Sequence, residues 1–230
     1  MEATLSDRSM GKRGAARPSL EKKAYQDIRA RIISAEFLPG MLLSENELAD
    51  TLGMSRTPIR AAISLLETEG FLESVRGRGV FVKEISFREF REMFEVLVSM
   101  QLFALDVAAA RGHAFDLPAL REQLERQAFA AESGDYEAYY DSSLRFVGTM
   151  VASCGNESMR NILETIKGKY MFKMLSFRKM NARSLPKPTH ARSAHARIYD
   201  ALERGDPAGA REAVLALNAF VYDQFSVFDI

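Results

Sequence analysis

The spacing of apolar residues changes twice along this chain, and each change marks a change of structure. From Leu20 to Phe37, Ala24, Ile28, Ile32 and Ile33 recur at helical intervals, and Phe37-Leu38-Pro39-Gly40 then signals a turn. Ser44 followed three residues later by Glu47 is a capping box, which predicts a helix to about Leu52. Gly53 breaks it. Ser55 caps the next helix, with Pro58 in the first turn, where a missing backbone N–H is tolerated. The period then shortens: Phe71–Val75 and Val80–Lys83, joined by Arg76-Gly77-Arg78-Gly79, predict a two-stranded wing. Beyond Ile85 the helical period returns, predicting helices near 86–111, 116–132, 135–153, 156–181, 188–204 and 206–226. Gly112, Asp116 with Pro118, Gly134-Asp135, Gly155-Asn156 and Gly205-Asp206-Pro207 punctuate them. In the last helix Ala210, Val214, Leu217 and Val221 form one inward stripe.

The fold class that follows is mainly α. A winged helix-turn-helix, helical with a small β wing, precedes an all-α antiparallel bundle whose connections are short. Residues 1–19 carry no periodicity and read as a disordered basic arm. Residues 20–84 form the winged helix and residues 85–230 the bundle.

Composition narrows the setting. The chain has 230 residues, 47% hydrophobic and 27% charged, as an ordinary globular protein does. No run is seen to approach the ~18–20 apolar residues of a membrane helix, and no signal-peptide stretch opens the chain. One cysteine, Cys154, excludes an internal disulfide framework and fits a reducing cytoplasm; it reads as a small buried hydrophobe. The formal net charge is zero, yet residues 1–34 hold eight Lys/Arg against four Asp/Glu. Affinity for a polyanion must therefore come from a local patch, doubled by dimerisation.

That patch is legible. Arg56 and Arg60 are one helical turn apart, so both face the same way. An arginine that is bidentate to guanine O6 and N7 gives about 1–3 kcal/mol of discrimination. Arg76, Gly77 and Arg78 make a basic tip in which glycine allows close backbone approach.

The phrases Pro39-Gly40-x-x-Leu43-Ser44-Glu45-x-Glu47-Leu48-Ala49, Leu52-Gly53-x-Ser55-Arg56-Thr57-Pro58-x-Arg60 and Leu66-x-x-Glu69-Gly70-Phe71, with Arg76-Gly77-x-Gly79-x-x-Val82, resemble the GntR family of bacterial transcription regulators across residues 22–84. The helical remainder, with Gly155-Asn156 and His195…Gly205-Asp206, looks like the effector (FCD) domain of the FadR-like subfamily. The resemblance implies that Arg56 and Arg60 read bases, that Ser55 and Thr57 hold phosphate at a helix N-terminus, and that Arg76 and Arg78 enter the minor groove. Asn46 stands where relatives can carry an arginine. It further implies a cytoplasmic homodimer on a pseudo-palindromic double-stranded DNA operator, most often as a repressor, with a small-molecule effector bound in residues 85–230 and no membrane partner.

Many FadR-like effector domains hold a metal with an Asp and three His. Here those positions fall on Ser143, Val147, His195 and Leu217, so one ligand of four survives. A lone imidazole does not hold a divalent ion against water, and neither metal nor other cofactor is expected. Shifting the register by two would bring Asp141 and Arg145 there and still supply no second histidine; the other histidines are His113 and His190. An Arg and a Glu that grip carboxylates in relatives correspond to Leu97 and Gln101. The expected effector site is thus Leu97, Gln101, Ser143, Val147, His195 and Leu217, suited to a small ligand of apolar character, with Met100, Met150, Met171, Phe172 and Met174 able to adapt to it. Arg178, Arg183 and Lys187 could meet a polar head group, although solvated surface is the plainer reading. Three alternatives stay open: packed core with no ligand, a bundle that only dimerises, and a metal-dependent carboxylate sensor. No Gly-rich phosphate loop or nucleophile motif points to an enzyme.

Overall fold

The computed structural model describes residues 19–182 and 188–226. The first part comprises α1 (Leu20–Ile33), β1 (Leu42–Leu43), α2 (Glu45–Leu52), α3 (Arg56–Thr68), β2 (Leu72–Val75) and β3 (Gly79–Val82). The second comprises α4 (Phe87–Arg111), α5 (Leu117–Ser133), α6 (Tyr136–Ala152), α7 (Glu157–Met180), α8 (His190–Glu203) and α9 (Pro207–Ser226). Apart from Ser19, whose hydroxyl accepts from the Lys22 N–H to cap α1, the basic arm lies outside the described residues.

The bundle helices begin where their caps dictate. Ser86 and Glu89 form a reciprocal capping box at α4, and Asp116, Asp135 and Asn156 each accept from a backbone N–H three residues on. Gly112 and Gly134 close α4 and α5 in the left-handed conformation.

Three details differ from the sequence expectations. The wing sheet has three strands in the order β1-β3-β2, all antiparallel, where two were expected. The added strand is only Leu42-Leu43, whose partners Phe81 and Val80 are distant in sequence. It packs so closely that a Cβ on Gly79 would lie 2.6 Å from the Leu42 side chain. Second, α1 stops at Ile33 rather than continuing to Phe37. Ala35 turns left-handed (φ 57°), and the N–H groups of Glu36 and Phe37 both return to the Arg31 carbonyl. Third, by length and composition α4 could cross a membrane, contrary to the expectation that no run comes close. Half of its apolar window is buried, and it packs against α6, α7 and α9.

The interior forms two main cores. Ile28, Ile32, Ile59, Leu66, Phe71 and Val82 fill that of the winged helix, while Phe90, Leu97, Leu120, Tyr139, Phe146 and Met150 are central to that of the bundle. Helix α7 serves both. Its Tyr170 packs on Phe90 and Tyr140, whereas Phe172 turns into the winged-helix core, edge-on to Phe71 at 6.3 Å between centroids. Gly168 permits this approach, since a Cβ there would fall 2.5 Å from the Arg29 guanidinium and 3.2 Å from Phe71.

Candidate DNA interface and effector core

Helix α3 is positioned from its buried side. Pro58, Ile59, Ala62, Ile63 and Leu66 are buried, with α3 packed against α1, which leaves Arg56, Thr57 and Arg60 exposed. Gly53, left-handed at φ 61°, makes the turn from α2. Ser55 sits at the N-cap in an extended conformation but makes no side-chain capping hydrogen bond, so its hydroxyl is not used by its own helix, contrary to the capping role expected of it.

The arrangement adds a residue that sequence spacing did not single out. Glu45, first in α2, accepts from both arginines through one oxygen, Arg56 Nη2 at 2.9 Å and Arg60 Nε at 2.8 Å. Arg56, with Arg60 behind it, holds the Glu45 carboxyl below its usual range. The two guanidiniums are thereby fixed relative to each other at the entrance of α3. Asn46, the next residue of α2, is exposed. The wing tip is a separate turn: the Arg78 N–H donates to the Val75 carbonyl, Gly77 takes φ 76°, and Arg76 and Arg78 are exposed. The Arg78 guanidinium lies 5.8 Å from the centroid of Phe81.

In the bundle all six expected effector positions are buried: Leu97, Gln101, Ser143, Val147, His195 and Leu217. They come from α4, α6, α8 and α9, and the apolar ones belong to a single core. His195 is 1% exposed, stacks on Phe146 at 4.3 Å and meets Gln127 Oε1 through Nδ1 at 3.2 Å. Burial holds its pKa down at about 3, so the ring is neutral at ordinary pH. Two surface clefts, of about 280 and 230 Å³, lie between the winged helix and the bundle and take in none of the six positions.

Several secondary expectations change. Phe172 serves the winged-helix core rather than the bundle interior, while Met100, Met150 and Met171 are buried in the bundle. Arg178 is buried rather than solvated: Nε donates to the Tyr140 hydroxyl at 3.3 Å and the guanidinium lies over Tyr136. Arg183 and Lys187 lie outside the described residues. Asp141 pairs with Arg145 and Lys167 in a partly exposed ion-pair group, which removes the shifted metal register. Cys154 is buried, as expected of a small hydrophobe. Sequence spacing also missed Gln123 and Gln127, buried polar residues of α5.

The metal site known from FadR-like relatives does not fit these residues. Ser143, Val147 and Leu217 bring no imidazole or carboxylate, and His195 Nδ1 is already engaged by Gln127. Among the described residues no three His, Cys, Asp or Glu side chains are placed so that they could hold a metal ion.

A helix-turn-helix with an arginine-bearing second helix, a β wing and a helical bundle behind it defines a two-part DNA-binding regulator. Residues 20–82 match the model of the "Bacterial regulatory proteins, gntR family", and residues 92–219 match that of the "FCD domain". The chain belongs to the GntR family and carries the FCD domain. It is 24% identical over 193 residues to the uncharacterized HTH-type transcriptional regulator YdhC of Bacillus subtilis, covering 84% of each chain. It is 28% identical over 153 residues to the gluconate operon transcriptional repressor of Bacillus licheniformis, covering 66% of this chain and 62% of that one. In fold it is similar to a GntR transcriptional regulator of Rhodococcus sp. RHA1, with a TM-score of 0.73, 18% identity, and 90% and 96% of the two chains covered.

Proposed function

We propose that this regulator is a cytoplasmic homodimer that represses transcription from a pseudo-palindromic operator. The observation that carries the reading is the exposed pair Arg56 and Arg60, one turn apart on α3 and bound to a common carboxylate. The two arginines read base edges in the major groove. Ser55 and Thr57 hold phosphate at the helix N-terminus, with Asn46 beside them on α2. Arg76 and Arg78, carried on the Gly77 turn, enter the adjacent minor groove. Dimerisation uses the outer faces of α4 and α9, where Val96, Phe103, Leu215 and Tyr222 are exposed apolar residues.

The bundle senses a small effector without metal, at Leu97, Gln101, Ser143, Val147, His195 and Leu217. Binding there changes operator affinity by favouring one arrangement of the two winged helices over another. Helix α7 supports this coupling, because it packs into both cores.

The test begins with selection of a binding site from random or genomic DNA by the full-length protein. Arg56→Ala and Arg60→Ala are expected each to abolish protection of that site while sedimenting as wild-type dimer. Wild-type footprints from both variants would overturn the assignment of α3. Phe103→Glu is expected to sediment as monomer and to lose operator binding with it.

A further inference from the structure

The winged helix ends at Val82 and α4 begins at Phe87, so Lys83-Glu84-Ile85-Ser86 join the two parts. Relative motion is the default for domains on a short connection unless their interface is large and apolar. Here every residue of the connection is tied down. The Lys83 N–H donates to the Phe71 carbonyl at 2.9 Å. Ile85 is buried in the winged-helix core, and Ser86 caps α4 in its reciprocal box with Glu89. Glu84 and the adjoining Phe87 meet one side chain of α7, that of Lys173.

That lysine is 5% exposed. Its Nζ lies 3.8 Å from the centroid of the Phe87 ring and 3.9 Å from Glu84 Oε1. Phe177, one helical turn further along α7, meets the same ring edge-on at 5.2 Å between centroids. Phe87 is therefore held between an ammonium and an aromatic neighbour. Burial pushes the Lys173 pKa down, while Glu84 and Glu89 favour the charged form. Burying a cation is costly, and a methionine would fill the same space without that cost. What the charge supplies is a desolvated cation–π contact to the first residue of α4. The rest of α7 acts in the same sense: Phe172 fills the winged-helix core, and Lys179 Nζ donates to the Ala35 carbonyl, just past α1, at 2.9 Å.

We infer that Lys173, a residue of the bundle, is a positioning residue for operator binding: by clasping Phe87 and Glu84 to α7 it makes the winged helix and bundle of one protomer a single rigid body. The separation at which two recognition helices meet DNA is then fixed by the two-fold axis alone. An effector acts on the arrangement of two such bodies and not on a bend in the connection. The inference deepens the proposed function and rests on its two-fold operator, whereas the clasp itself is measured without DNA.

The test uses the full-length protein with Lys173→Met, which keeps the volume and removes the charge, and Phe87→Leu, which removes the ring. Without DNA, cleavage after Glu84 by a glutamate-specific protease is followed by fragment mass. It should quicken about tenfold in both variants, within what a desolvated cation–π contact supplies. The Tm of Lys173→Met should not fall, because no charge is left buried. With DNA, the selected operator is compared with one carrying an extra base pair between its half-sites, which displaces them by about 3.4 Å and about 35°. The wild type should bind the longer site about tenfold more weakly or worse, and Lys173→Met no more than about threefold more weakly. Cleavage of Lys173→Met at the wild-type rate, or wild-type discrimination of spacing by that variant, would overturn the inference. So would faster cleavage with a lower Tm, which marks general destabilisation. If the wild type selects no paired half-sites, the two-fold operator reading falls, and the cleavage rates alone decide the clasp.

Discussion

The two cores of this molecule solve different problems. The winged-helix core is built from aliphatic and aromatic side chains, and its chemistry stands outside, on Arg56, Arg60 and the wing tip. The bundle core encloses its chemistry: His195 is buried against Phe146 and Gln127, and Gln101 and Gln123 are buried in the same bundle. An element that reads DNA can be packed for stability alone, because its working surface is wet. A bundle that buries polar groups among apolar ones is differently placed, since each buried group left unpaired costs about 1–3 kcal/mol. The bundle, which holds His195, is thereby the part whose stability answers to pH.

That contrast can be broken at several points. The largest effect is expected where the cores join. Phe172→Ala removes a fully buried ring from the winged-helix core although the residue belongs to α7, and should cost about 3–5 kcal/mol in chemical denaturation. If the winged helix were packed independently of α7, the loss would be far smaller.

The next effect separates the cores by pH. His195 stays neutral in the fold with its pKa at about 3, whereas the unfolded chain takes up a proton near the ordinary value of 6.5. Stability is therefore fully present above about pH 6.5 and declines as pH falls toward 3. The loss should reach about 2 kcal/mol at pH 5, at 1.36 kcal/mol per pH unit. In His195→Leu that slope should vanish between pH 5 and 7. A wild-type slope surviving in this variant would place the titration elsewhere. His195 faces Phe146 and Gln127, neither of which titrates.

The smallest effect concerns the exposed side. Glu45→Gln releases Arg56 and Arg60 from a solvent-screened pair, a change of about 0.2–1 kcal/mol at most in stability. Its signature lies in binding. Affinity for random-sequence DNA should rise and the salt dependence steepen by about one unit, while preference for the operator narrows. An unchanged salt slope would mean that Glu45 leaves the arginines when DNA arrives.

What the sequence disclosed and what it concealed divide along locality. Ser86 with Glu89, Asp116, Asp135 and Asn156 cap helices through bonds spanning three residues, so the spacing alone placed the bundle helices within a few residues. Strand β1, the Glu45 clamp and the entry of Phe172 into the other core depend on partners distant along the chain or on another helix, and periodicity has no access to them. Gln123 and Gln127 were overlooked for a related reason. Glutamine on a helix normally faces water, and only the packing of α5 on α6 and α8 turns these two inward. Family resemblance pointed to the metal positions and to Gln101, and left unseen the Gln127 amide that meets His195.

Phe172 also says something about inheritance. A winged helix cut free near residue 85 would leave with a hole where that ring had been. Joined to a different sensor, it would need a plug from the newcomer, or a larger residue near Phe71 to close the gap. Exchange of sensors among such regulators is thus not free recombination of finished parts. The new partner must also bring the one side chain that completes the old one.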